Sequence, residues 1–192
     1  PTDGDNDDVK VIYNWEVNGS NILGLNLPFE RVNDSTGNNT WDYSTHNNNG
    51  TTNSSTWGAT SGYDGKGAYN FDGVDDQIDI SRSPTLNYTA NFTMALWVNP
   101  VSISSSGGCF VRSVNTGNGN GLFFCHDDAD IGFEIWGNSC NDDYSATSTL
   151  TTGWQHLAVT LGSDGKTFNI YRNGIEIHED TSAYALNTIS EA

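Results

Sequence analysis

The chain has 192 residues, 35% of them hydrophobic and 11% aromatic, which suits one domain, or one domain plus a fragment, whose sheets keep a solvated outer face. Its 24 acidic against 7 basic residues leave a formal charge of -17, yet only 16% of residues are charged, so the imbalance comes from missing Lys and Arg rather than from unusual acid content. Nucleic acid and anionic membrane both need basic patches and are excluded as partners, no apolar run is long enough to span a bilayer, and no secretory hydrophobic segment stands at Pro1, which leaves cations and neutral glycans.

Residues 1–8 (PTDGDNDD) have no periodicity and read as a solvated linker. The alternate carboxylates Asp3, Asp5 and Asp7 also suit a calcium loop, but the downstream bidentate Glu of an EF-hand is missing. Residues 9–17 (VKVIYNWEV) predict a strand closed by an Asn18-Gly19 turn, and residues 22–29 (ILGLNLPF) alternate as the first strand of a main domain spanning 21–192. Residues 32–61 are rich in Asn, Thr, Ser and Gly. A structureless loop of that length is unusual, so Trp41, Tyr43 and Trp57 are expected to pin it down. Residues 67–80 (GAYNFDGVDDQIDI) predict a hairpin. Tyr69 and Phe71 share one face of the first strand, Ile78 and Ile80 one face of the second, and Asp72-Gly73 opens an acidic turn that also holds Asp75 and Asp76.

Residues 91–100 (NFTMALWVNP) give the clearest strand. Phe92, Met94, Leu96 and Val98 fall on one face and Trp97 on the other, which predicts a central strand ended by Pro100. Residues 109–114 and 121–126 predict a hairpin, 131–136 a further strand, and Leu157, Val159 and Leu161 the face of another. Residues 167–171 and 175–178 predict a hairpin around Asn173-Gly174, with Phe168, Ile170, Ile175 and Ile177 in the core. No segment has helical periodicity. Short strands with regular turn signals predict an all-β, antiparallel two-sheet sandwich or jelly roll.

Several segments occur in a recognisable order: LNLPF (25–29), WDYS (41–44) running to NNGT (48–51), GKGAYNFDGVDD (65–76), FTMALWV (92–98), GWQHLAV (153–159) and YRNG (171–174). This order resembles a laminin-G-like module of the concanavalin A-like lectin/glucanase jelly-roll superfamily, from about Asn21 to the end. Residues 1–20 resemble an acidic linker and the last strands of an immunoglobulin-like repeat that precedes such modules in large microbial, archaeal-type surface proteins. The family's acidic loop usually continues Gly-Asn-Gly-Asn where this chain has Thr45-His46-Asn47-Asn48, which implies a looser loop. The resemblance also implies a closing strand pair beyond residues 187–192, so the fold is expected to be incomplete unless another chain supplies those strands to the open edge.

The expected metal is calcium, held by oxygens of Asp42, Asn48, Asp72 and Asp76 with carbonyls from the Gly-rich turns; the resemblance implies a rim calcium in many members. The competing reading is that Asp42 and Asp72 only cap turns. Counting outward from the hairpin turn sets Cys109 opposite Cys125, which makes a disulfide between them geometrically accessible and leaves Cys140 over, or paired with one of them. Seven Asn-x-Ser/Thr sequons, at Asn18, Asn33, Asn38, Asn49, Asn53, Asn87 and Asn91, point to a secreted, glycosylated protein, or else simply to Asn-richness.

For glycan recognition the candidates are Trp136 and Tyr144, which would stack on sugars, with Asn138 and Asp142 bonding hydroxyls, and Trp41 and Trp57 are alternative stacking residues; Trp97 and Trp154 are expected in the core. No catalytic residue is assigned. Asp130 and Glu134 share a strand face, but the alternating acidic triplet of glucanase relatives is missing, and His46, His126, His156 and His178 fall on separate elements. The reading is a non-catalytic, calcium-stabilised adhesion or carbohydrate-recognition module of an extracellular protein, whose partner is a glycan or a surface protein. The alternatives are a structural bead of a surface layer or filament, which would meet neighbouring copies, and a glycan hydrolase.

Overall fold

The computed structural model describes residues 12–30, 39–103, 107–114, 121–135, 145–147, 149–182 and 185–186. In chain order the strands are β1 (Glu16–Val17), β2 (Ser20–Asn21), β3 (Asn39–Thr40), β4 (Gly50–Asn53), β5 (Thr56–Gly58), β6 (Ala68–Asn70), β7 (Gln77–Ile80), β8 (Phe92–Val98), β9 (Gly108–Val114), β10 (Gly121–Asp127), β11 (Asp130–Ile135), β12 (Ser145–Ala146), β13 (Gln155–Leu161), β14 (Thr167–Arg172) and β15 (Ile175–Thr181). Two compact units result, Pro1–Leu86 and Asn87–Ala192.

The second unit is a sandwich of two four-stranded antiparallel sheets, ordered β12-β11-β10-β9 and β15-β14-β13-β8. The expected all-β, antiparallel architecture is therefore present. Period-2 alternation builds its core. Leu122, Phe124, Ile131, Phe133 and Ile135 from one sheet meet Leu157, Val159, Leu161, Phe168 and Ile170 from the other. Phe133 and Phe168 span the gap, with ring centroids 5.1 Å apart.

Two details of this unit differ from the sequence reading. The strand expected at the centre, β8, ends its sheet among the described residues. Only Phe92, Met94, Leu96 and Val98 pack on the core, while Thr93, Ala95 and Trp97 alternate outward, so its double apolarity does not reflect burial on both faces. Ile175, expected in the core, is 69% exposed. It lies beside the turn, and the β14–β15 register shifts between Ile170 and Tyr171, which changes the phase of the alternation.

The β13–β14 turn is organised by Asp164. Its carboxylate accepts from Lys166 N and Thr167 N at 2.9 Å each and from the Thr167 hydroxyl at 2.6 Å. These bonds, the Thr167 hydroxyl foremost, favour the charged form and hold its pKa down to about 2. Because the folded value lies below the ordinary 3.8, the turn keeps this stabilisation above pH 3.8 and loses it as pH falls through about 2. The Lys166 and Thr167 amide resonances should titrate with a midpoint near that low value. A midpoint near 3.8 would show that the carboxylate does not hold the turn.

The first unit consists of small ladders, β1-β2, β3-β4-β7 and β5-β6. Two expected elements are absent from it. The stretch Ile22 to Phe29 forms no strand, because its backbone polar groups are used otherwise. Asn26 N donates to Asp42 Oδ1 at 2.9 Å, Tyr43 N donates to Asn26 O at 2.8 Å, and Phe29 sits at a φ of 59°. The hairpin expected over 67–80 does not close either. Both strands exist, but β6 pairs with β5 and β7 with β4. The acidic turn thus links two separate ladders. Tyr69 is buried edge-on against Phe29, at 5.3 Å between centroids, whereas Phe71 lies past the end of β6 and is exposed. Gly67 is required by close approach: a Cβ there would strike the Phe29 carbonyl oxygen and the Trp57 indole, which themselves form a 2.8 Å hydrogen bond.

Candidate functional site

Asp42 is buried in the loop between β3 and β4 and uses both carboxylate oxygens internally. Oδ1 accepts from Asn26 N and Ser44 N at 2.9 Å each, and Oδ2 accepts from the Ser44 hydroxyl at 2.6 Å and Asn48 N at 2.8 Å. Burial alone would raise its pKa. The hydrogen bonds from the Ser44 hydroxyl and from the Asn26, Ser44 and Asn48 amides outweigh burial and hold it below the ordinary value. The Asn48 side chain is equally committed, donating to Gly24 O at 2.8 Å and to Thr85 Oγ1 at 3.0 Å. Asp42 and Asn48 therefore act as hydrogen-bond hubs that fasten the 22–29 stretch to the β3–β4 loop.

Among the described residues, the carboxylates that converge are Asp72, Asp75 and Asp76, with one oxygen of each within 4.8 Å of the others. The turn shapes the cluster. Asp72 N donates to Asp76 Oδ2 at 2.7 Å, Val74 N donates to Asp72 Oδ1 at 2.8 Å, and Gly73 takes a φ of 79°. Of the four expected ligands, Asp72 and Asp76 are brought together, and Asp42 is not part of the group. Asp75, which the sequence reading left out, is the third carboxylate of this cluster. Its signal was present in the run Asp72 to Asp76.

Cys109 and Cys125 face each other across β9 and β10 as counting from the turn predicts. Their sulfurs stand 2.8 Å apart. Burial raises the Cys109 thiol pKa, with Arg112 offsetting part of the effect and Glu134 adding to it. Cys140 lies outside the described residues, as do the sequons at Asn33 and Asn38 and the expected glycan contacts Trp136, Asn138, Asp142 and Tyr144. Asn18, Asn53, Asn87 and Asn91 are exposed, whereas Asn49 is half-buried with its amide oxygen accepting from Asp42 N.

The carboxylates weighed for hydrolysis, Asp130 and Glu134, are four residues apart on β11, hence roughly 13 Å along the strand. Hydrolytic pairs need about 5–9.5 Å. The sequence reading also misplaced Trp97. It stands 46% exposed on the outer face of β8, edge-to-face with His156 at 5.2 Å. The available signal was its phase, opposite to Phe92, Met94, Leu96 and Val98.

Among known proteins, a laminin-G-like family model described as the concanavalin A-like lectin/glucanases superfamily matches residues 71–191. A crystal structure of an S-layer domain-containing protein from Clostridium thermocellum, residues 221–444, is similar at 26% identity and a TM-score of 0.53, covering 82% of this chain and 71% of that one. No curated protein matches.

Proposed function

The chain belongs to the laminin-G-like family of the concanavalin A-like lectin/glucanases superfamily, and from that premise we propose that it is a non-catalytic recognition module of a surface protein, binding glycans or surface partners outside the cell. The observation that carries the reading is the likeness to an S-layer domain-containing protein over 82% of the chain. The -17 charge supports neutral glycans or cation-bridged partners over anionic ones. The separation of Asp130 and Glu134 supports a binding role rather than hydrolysis. Among the described residues no helix is long and apolar enough to cross a membrane. A glycan array probed with and without a chelator tests the proposal. Specific retention of one glycan class is the expected result, and a blank array under both conditions would remove it. The second reading, a structural unit of a surface layer, draws on the same neighbour. It predicts concentration-dependent assembly with no glycan retained.

Calcium fits the acidic turn chemically. Three carboxylates within 4.8 Å repel one another, and a hard divalent cation that takes oxygen ligands would relieve that repulsion. Asp72, Asp75 and Asp76 would hold the ion, fixing the link between β6 and β7. Calcium at about 100 times its dissociation constant should stabilise the fold by about 2.7 kcal/mol and raise the melting temperature by several degrees. The Asp72→Asn/Asp76→Asn double variant should melt at one temperature with or without calcium. An unchanged wild-type melting temperature in excess calcium would refute the site.

A further inference from the structure

Three Asn-Gly dipeptides lie wholly among the described residues, at Asn18, Asn49 and Asn173. The first and third turn the chain in the same way: Asn18 and Gly19 take φ values of 52° and 78°, and so do Asn173 and Gly174. Both asparagines are exposed, so neither turn type nor solvent access tells them apart. Their anchoring does. Asn173 Oδ1 accepts from His156 N at 2.9 Å, and Asn173 N donates to His156 O at 2.8 Å, which ties that turn to β13. Its flanking strands are 6 and 7 residues long. β1 and β2 have 2 residues each, and a hairpin that short is marginal on its own. It is fastened only towards its base, where the Asn14 side chain donates to Tyr43 O at 2.8 Å and the Asn26 side chain to Tyr13 O at 2.9 Å. Among the described residues no hydrogen bond reaches the Asn18 side chain, and a Cβ at Gly19 would meet nothing within 4 Å. Asn49 is the opposite case. It is half-buried, its Oδ1 accepts from Asp42 N at 2.9 Å, and a Cβ at Gly50 would collide with the Ile78 and Thr40 side chains at 2.6 and 2.9 Å.

We propose that Asn18 is a self-modification site, where the Gly19 backbone nitrogen attacks the side-chain amide and the asparagine becomes aspartate or isoaspartate. The bond from Gly19 N to Asn18 Cγ forms, the Cγ–Nδ2 bond breaks, and ammonia leaves with the proton of the Gly19 amide. The product is a five-membered succinimide, which water reopens at either carbonyl. Water is the sole co-reactant. Glycine suits the attacking position because it has no Cβ to block the approach and the backbone freedom to swing towards Cγ. The attack requires the chain to leave its turn conformation for a moment. The short β1–β2 ladder permits that excursion, whereas the His156 clamp on Asn173 and the packing around Gly50 oppose it. The reaction has a structural consequence. Isoaspartate carries an extra methylene in the backbone, which breaks the register of Glu16 with Asn21 and of Val17 with Ser20. Either product adds a negative charge to a chain already at -17. The inference goes beyond the recognition role and does not depend on it.

The test incubates the full chain at mildly alkaline pH, folded and in guanidinium chloride, and follows each dipeptide by peptide mapping with isoaspartate detection. In denaturant Asn18, Asn49 and Asn173 share the same local sequence and should convert at similar rates. In the folded chain Asn18 should convert at close to its denatured rate, while Asn49 and Asn173 should react roughly tenfold more slowly or less, since their hydrogen bonds must open first. Ser20→Ala removes the sequon and keeps the Asn18-Gly19 dipeptide, so carbohydrate on Asn18 cannot hide the reaction in that variant. In denaturant, where no turn exists to be strained, Gly19→Ala should slow conversion at position 18 alone, which identifies the attacking nitrogen. Equal protection of Asn18 and Asn173 in the folded Ser20→Ala variant overturns the proposal. So does a folded chain in which Asn49 or Asn173 converts as fast as Asn18, or a Gly19→Ala variant that converts at the wild-type rate.

Discussion

Replacing Phe168 by alanine should destabilise the Asn87–Ala192 unit by about 3–5 kcal/mol, the cost of removing a large aromatic from a fully buried site. Phe168 is 0% exposed on β14, and its ring meets Phe133 of the facing sheet at 5.1 Å and His178 of the neighbouring strand at 6.3 Å. Truncation would leave a cavity where the two sheets touch, and neither sheet can close over it without shifting its own ladder. A domain of this size holds about 5–15 kcal/mol in all, so the variant should unfold at a much lower denaturant midpoint with an unchanged slope. Ile175→Ala is the matched control. Its side chain is 69% exposed, and it should change stability by less than about 0.5 kcal/mol. Equal losses in the two variants would show that the sheets are not held together through Phe168.

How far the sequence was legible follows from the range of the interactions involved. The hairpins β9–β10 and β14–β15 were readable because each turn and both flanking strands lie within one short window; Asn173 and Gly174 even carry the positive φ values, 52° and 78°, that the dipeptide predicts. The 67–80 stretch has the same local signals. Its partners, β4 and β5, come from a loop in which no alternation marks a strand, and the long-range pairing won. The Cys109–Cys125 register was likewise legible, because both residues lie within one hairpin. Trp97 was assigned to the core by residue type although its phase pointed outward, and phase was the better guide. For the acidic turn, proximity in sequence was proximity in space, so the convergence of Asp72 and Asp76 was legible; Asp42 has the same side chain, but its oxygens are taken by amides and a hydroxyl that no spacing rule identifies.

Asp42→Ala should destabilise the Pro1–Leu86 unit by about 3 kcal/mol or more. Alanine would orphan the amides of Asn26, Ser44 and Asn48 and the Ser44 hydroxyl, which all converge on a residue only 5% exposed. Hydrogen bonds to a charged acceptor contribute about 1.5–3 kcal/mol each before relaxation, and water reaching the loop would recover part of the loss. The 22–29 stretch has no ladder of its own, so the Asn26 amide should lose hydrogen-exchange protection first. The pH dependence separates this role from a general packing defect. The folded pKa of Asp42 is lowered, so its stabilisation is complete above the unfolded value near 3.8 and fades as pH falls through the folded one. The gap in melting temperature between wild type and variant should therefore narrow steadily below pH 4. Calcium supplies the other control. A hub that spends both oxygens on amides and a hydroxyl predicts the same loss with and without chelator, whereas a metal ligand predicts a loss that chelation of the wild type reproduces. A pH-independent gap, or a variant that melts with wild type, would leave the 22–29 stretch held by something other than this carboxylate.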